Sequence, residues 1–151
     1  MNLYRDLIID LYKNSLNKRQ IKNAEIKASG ANVTCGDHLR IYLKLNKKGL
    51  AEDASFEGDG CAISIASASL LTEEVKGKTP AQVLKWGPKK INKLLGTELS
   101  PTRVKCGLLA LETLQKGLCD NGYVKEKSTS GMPNSHLTPL PKWCYNSTKI
   151  R

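Results

Sequence analysis

Three patterns in the 151-residue sequence predict an α+β fold, a three-stranded antiparallel sheet packed with helices. The first is strict alternation over residues 38–45, where Leu39, Ile41, Leu43 and Leu45 interleave with His38, Arg40, Tyr42 and Lys44. That period of two describes a strand with one buried and one solvated face. The second is Asn46-Lys47-Lys48-Gly49, whose residues suit a hairpin turn back into another extended run. The third is a change of period after Gly58-Asp59-Gly60, beyond which two proline-marked helix starts follow, at Thr79-Pro80 and Ser100-Pro101.

The elements follow in chain order. Leu3, Leu7, Ile8 and Leu11 recur at helical spacing with Arg5, Asp6 and Asp10 opposite, predicting an amphipathic helix that turns those four apolar residues inward. Residues 13–22 are polar and basic, a connector. Ala24, Ile26 and Ala28 alternate with Glu25 and Lys27 as a short strand, which Ser29-Gly30-Ala31-Asn32 is expected to break. The alternating strand over 38–45 comes next, and residues 50–57 pair back with Ala54 and Phe56 on one side. Residues 61–74 form a helix of small side chains able to pack closely against its neighbours. Thr79 caps a helix running toward Trp86, Gly87-Pro88 interrupts it, and residues 89–95 resume it. Ser100-Pro101 opens the longest helix, with Val104, Leu108, Leu111, Leu114 and Leu118 as its apolar stripe. From Asp120 the pattern stops, dividing the chain into a domain over 1–119 and a polar tail over 120–151.

Composition narrows the function. Aromatic residues make up only 5%, so the core rests on Leu, Ile, Val and Ala. The formal charge is +10, which favours an acidic partner, but the charges are scattered and no aromatic–basic interleaving suits stacked bases. Nucleic-acid binding is therefore not expected. No run approaches the roughly 18–20 apolar residues of a membrane span, and the most apolar, 61–71, is broken by Ser64, Ser67 and Ser69. The first residues lack a signal-peptide core, so a cytoplasmic location with reduced thiols is expected. Five cysteines in that setting point to metal or thiol chemistry rather than to a disulfide framework.

Cys35 lies in a loop between two predicted strands, Cys61 at a helix start, and Cys106 in the first turns of the long helix. Helix N-termini favour the thiolate, the form that binds metal or attacks sulfur. Asp37 offers a fourth donor, because Gly36 can adopt a positive φ that turns both neighbours toward one point. Three thiolates and one carboxylate make an acceptable tetrahedral zinc site, and the harder carboxylate is the ligand most easily displaced. Spacing alone is no standard motif: there is no CxxC pair, and three unrelated buried thiols remain the alternative. His38 is taken as an exposed strand residue, Tyr42 and Lys44 as solvated. Cys119, Cys144 and His136 are taken as uninvolved, Cys119 because it falls on the far side of the helix from Cys106.

The words around the three cysteines add a resemblance. Cys35-Gly36-Asp37, Gly58-Asp59-Gly60-Cys61-Ala62-Ile63-Ser64, Ala66-Ser67-Ala68-Ser69-Leu70-Leu71-Thr72-Glu73 and Arg103-Val104-Lys105-Cys106 resemble, in order, the SufU branch of the IscU/NifU N-terminal family. The resemblance spans roughly residues 3–119. It implies an iron–sulfur cluster assembly protein with zinc held by Cys35, Asp37, Cys61 and Cys106, and Arg103 beside the site. On the SufU pattern Cys35 accepts persulfide sulfur from a cysteine desulfurase and passes it to a downstream iron–sulfur scaffold. That would make the protein a zinc-dependent sulfurtransferase or sulfur carrier. On the IscU pattern the same residues hold iron or a nascent [2Fe–2S] cluster and the protein is a non-enzymatic scaffold. Lys105 before the last cysteine and the absence of an LPPVK-like segment favour SufU, whereas Cys61 and Cys106 are closer together than SufU-type proteins usually have them.

Overall fold

The alternating segment is the centre of the structure, a computed structural model that describes residues 3–33 and 36–121. It forms β2 (Asp37–Leu45), flanked by β1 (Ile26–Asn32) and β3 (Ala51–Asp59) in a three-stranded antiparallel sheet of order β1-β2-β3. Leu39, Ile41 and Leu43 are buried together with Ile26, Ala54 and Phe56. At the β2–β3 turn, the Asn46 side chain accepts hydrogen bonds from the backbone N–H groups of Lys48 (2.9 Å) and Leu50 (3.0 Å), and Gly49 takes a φ of 83°.

Two helices cover the buried face. α2 (Ala62–Val75) packs on β3, and α5 (Val104–Asp120) packs on β1 and β2 and against α2. The small residues of α2 are buried almost all round, which lets α5 come close enough for the Ser67 hydroxyl to donate to the Gly107 carbonyl at 2.8 Å. α1 (Leu3–Lys13) lies on α2. α3 (Pro80–Leu84) opens with a capping box between Thr79 and Gln82. α4 (Pro88–Leu95) is a separate helix with Gly87 as its N-cap and left-handed Gly96 ending it. The buried Gln115 amide donates to the carbonyls of Val83 (3.0 Å) and Trp86 (2.9 Å), fixing the end of α3 to α5. No helix among the described residues is long and apolar enough to cross a membrane.

Several expectations are corrected. Ser29-Gly30-Ala31-Asn32 continues β1, paired with Arg40, Leu39, His38 and Asp37, because cross-strand pairing outweighs the weak strand preference of these residues. Gly30 is needed there for packing: a Cβ on it would sit 2.1 Å from Thr113 Oγ1 of α5. The α1 face is misassigned by its spacing, since Leu3 is 70% and Leu7 38% exposed and only Leu11 is buried. Tyr42 is buried at 1% exposure on the face away from the main core, its hydroxyl donating to Glu57. That bond and burial push its hydroxyl pKa upward. α5 begins at Val104 rather than at the proline; Ser100 to Arg103 form a preceding turn whose Ser100 carbonyl accepts from Arg103 and Val104. The expected tail beyond Asn121, with Cys144 and His136, lies outside the described residues.

Candidate metal centre

One end of the sheet gathers the chemistry. There the loop 33–36 joins β1 to β2 beyond their last pair, Asn32–Asp37. Gly36 in that loop has a φ of 72°, the left-handed conformation that glycine adopts without strain. The end of β3 leads through Gly60 into α2, and the start of α5 lies alongside. Asp37 comes from the first residue of β2, Cys61 is the N-cap of α2, and Cys106 is in the first turn of α5.

The side chains of Asp37, Cys61 and Cys106 converge, with one ligand atom from each lying within 4.8 Å of the other two. Asp37 is 2% exposed and Cys106 fully buried, while Cys61 is half-buried at the rim. The Asp37 carboxylate is held at both oxygens: Oδ1 accepts from the Cys61 backbone N–H at 2.9 Å, Oδ2 from the Ser64 hydroxyl at 2.6 Å. Cys61 Sγ lies 3.7 Å from Oδ2 and 3.5 Å from the Ser64 hydroxyl oxygen. The Asn32 side-chain amide donates to Cys106 Sγ at 3.8 Å. Burial alone would raise the Asp37 pKa, but the Ser64 hydroxyl, the Cys61 N–H and the thiols of Cys106 and Cys61 together hold it below the usual carboxylate range. The carboxylate is thus ionised at neutral pH.

Backbone shape makes this approach possible. A Cβ on Gly60 would meet Asp37 Oδ1 at 3.0 Å and Cγ at 3.1 Å. Gly58, with φ of 127°, would place a Cβ 2.1 Å from the His38 carbonyl. The N-termini of α2 and α5 both face the cluster.

The other site expectations fall as follows. Cys35 lies outside the described residues; Asp37, two positions along the chain, belongs to the cluster. Arg103 is the N-cap residue of α5, exposed, and lines a groove of about 380 Å³ with Tyr4, Ile8, Ala62, Ile63 and Thr97 beside the centre. His38 is exposed and does not join the cluster. Cys119, 13 residues on from Cys106 (119 − 106), is about 20 Å further along α5 at its 1.5 Å rise per residue. It is buried and does not join the cluster. Ser64 and Asn32 were not singled out from the sequence as site residues. Ser64 had one usable signal, its position three residues after Cys61 on a helix, which puts the two on one face.

Known proteins fit this architecture. The NifU-like N-terminal domain family matches residues 3–128. The zinc-dependent sulfurtransferase SufU of Bacillus subtilis is 38% identical over 133 residues, covering 77% of this chain and 89% of SufU. The iron–sulfur cluster assembly scaffold protein IscU of Escherichia coli K12 is 34% identical over 122 residues, covering 78% of this chain and 92% of IscU. Among solved structures, FiSufU of Fervidobacterium islandicum superposes with a TM-score of 0.65 at 29% identity, covering 75% of this chain and 94% of that one. The chain belongs to the NifU-like N-terminal domain family, the iron–sulfur cluster assembly family in which SufU and IscU proteins are found.

Proposed function

We propose that this protein is a zinc-dependent sulfur acceptor in iron–sulfur cluster assembly, taking persulfide sulfur from a cysteine desulfurase onto Cys35 and passing it to a downstream scaffold. The observation that carries this reading is the convergence of Asp37, Cys61 and Cys106 within 4.8 Å at the root of the loop that bears Cys35. Two sulfur donors and one ionised oxygen suit zinc, which bonds thiolates at about 2.3 Å and carboxylates at about 2.0–2.2 Å, and Cys35 would complete four ligands. Bound zinc keeps its cysteine ligands deprotonated at neutral pH.

The residues then divide the work. Cys61 and Cys106 are the fixed ligands, seated on helix starts. Asp37 is the exchangeable one, because an oxygen donor holds a borderline-soft ion less firmly than sulfur does. Cys35 is the nucleophile: its thiolate attacks the outer sulfur of the desulfurase persulfide, a new S–S bond forms on Cys35, and the desulfurase cysteine leaves as a thiolate. The exchange is redox-neutral and needs no further oxidant. Val33, 92% exposed in the same loop, presents apolar surface where a partner has to approach. Arg103 flanks the groove beside the centre, and its charge favours an incoming persulfide anion.

The test is direct. With a cysteine desulfurase and cysteine, the protein should acquire one sulfane sulfur, detectable by mass as a persulfide, and Cys35→Ser should acquire none while keeping its circular dichroism spectrum. Sulfur acceptance by Cys35→Ser would remove Cys35 from its role. The similarity to IscU supports a second reading, in which the same donors assemble a [2Fe–2S] cluster as cargo. Anaerobic reconstitution separates the two: a visible-absorbing cluster that transfers to an apo-acceptor favours the scaffold, tightly held zinc with sulfur uptake the carrier.

A further inference from the structure

Ser64 stands out among the hydroxyl residues of α2. Ser67 donates to the Gly107 carbonyl and Thr72 to the Ala68 carbonyl, ordinary main-chain partners for buried hydroxyls. Ser64, fully buried, instead faces the metal-type cluster: its oxygen is 2.6 Å from Asp37 Oδ2, 3.5 Å from Cys61 Sγ and 3.1 Å from the Cys106 main-chain carbonyl. All three donor-bearing residues therefore meet at one hydroxyl.

A serine hydroxyl has one proton and two acceptor sites. The Ser64 proton can go to Asp37 Oδ2 or to the Cys106 carbonyl, so the side chain has two orientations that both satisfy it. With Oδ1 held by the Cys61 N–H, the Ser64 bond fixes the second oxygen and hence the plane of the carboxylate. Both donors lie on the first turn of α2, so the carboxylate is registered to the same turn that carries Cys61. Turning the proton to the Cys106 carbonyl frees Oδ2 to face a cation without leaving the hydroxyl unpaired in the interior, where an unpaired group is costly.

We infer that Ser64 is a positioning residue for the ligand set, acting through Asp37: its hydroxyl orients the carboxylate for the ion and takes up the alternative bond to Cys106 when Asp37 engages or leaves. This rests on the ligand set proposed above. Removing an outer partner of a metal ligand typically lowers metal affinity 10–100-fold.

The experiment is a double-mutant cycle read by zinc competition against a chromogenic chelator, with the parent, Ser64→Ala, Asp37→Ala and the double variant. Alanine favours helix more than serine does, so the change keeps α2 in place, and melts of the metal-free proteins check it. Ser64→Ala is expected to weaken zinc binding about 10–100-fold in the parent and to change nothing once Asp37 is already alanine. Ser64→Thr, which keeps the hydroxyl, is expected to hold zinc within a few-fold of the parent. Equal losses in both Asp37 backgrounds, or no loss in either, overturn the inference while leaving the ligand set standing. A folded Ser64→Thr as weak as Ser64→Ala does the same. A parent chain that takes up no zinc overturns the ligand set and this inference together.

Discussion

Single atoms decide how the centre is built. Gly58 occupies a φ of 127° with the His38 carbonyl where a side chain would go, so two penalties meet at one position. Gly58→Ala should destabilise the fold by about 1–3 kcal/mol, read as a lower urea midpoint. Gly36 shows how far such detail was legible beforehand: a glycine between two candidate ligands called for a positive φ, and it has one. Ser64 was not legible, because a serine in a run of small residues reads as close helix packing. Only the register of α2 against Asp37 turns it toward Asp37 and Cys61. Tyr42 misled for a related reason. Alternation tells which face a side chain takes but not what covers that face.

At the level of elements, strongly patterned segments were readable and borderline ones were not. The β2 alternation, the Asn46–Gly49 turn and the Thr79-Pro80 start each combine two local signals, and each forms as expected. β1 carries residues that prefer turns and is made a strand by its partner, which lies outside any local window. The connector after α1 was legible as polar but not as structured. Its Asn17 carbonyl accepts from the Phe56 N–H at 3.0 Å, and Arg19 pairs with Asp53 of β3 at 2.6 Å. Burial works against ionisation of Asp53, but Arg19 and the Ala54 N–H outweigh it and lower the pKa from 3.8. A lowered native pKa gives stability that is present above the unfolded value and lost as pH falls through the native one. Both side chains are partly exposed, so Arg19→Ala should cost only about 0.2–1 kcal/mol at neutral pH. The difference from the parent should shrink below pH 3.8, followed by urea denaturation across pH 3–7.

The whole molecule joins the centre to global stability. Asp37, Cys61 and Cys106 belong to a strand and two helices that meet only when the chain is folded, so an ion bound to them is bound to the native state. Free zinc at 100 times its dissociation constant should add about 2.7 kcal/mol. For a chain of this size that corresponds to roughly 5–10 °C in melting temperature, abolished by a chelator. Asp37→Ala should reduce the zinc-induced rise more than it changes the melting temperature of the metal-free protein.

The closeness of Cys35 to Asp37 along the chain has a mechanical corollary. Cys35 is two residues from the anchored Asp37, and a chain advances at most about 3.3–3.6 Å per residue. Its Cα is therefore tethered within about 7 Å of that anchor in any conformation. If Cys35 accepts sulfur as proposed above, so short a leash keeps it from swinging across an intermolecular gap. On that proposal the travelling arm belongs to the donor, which delivers its terminal sulfur to this end of the sheet.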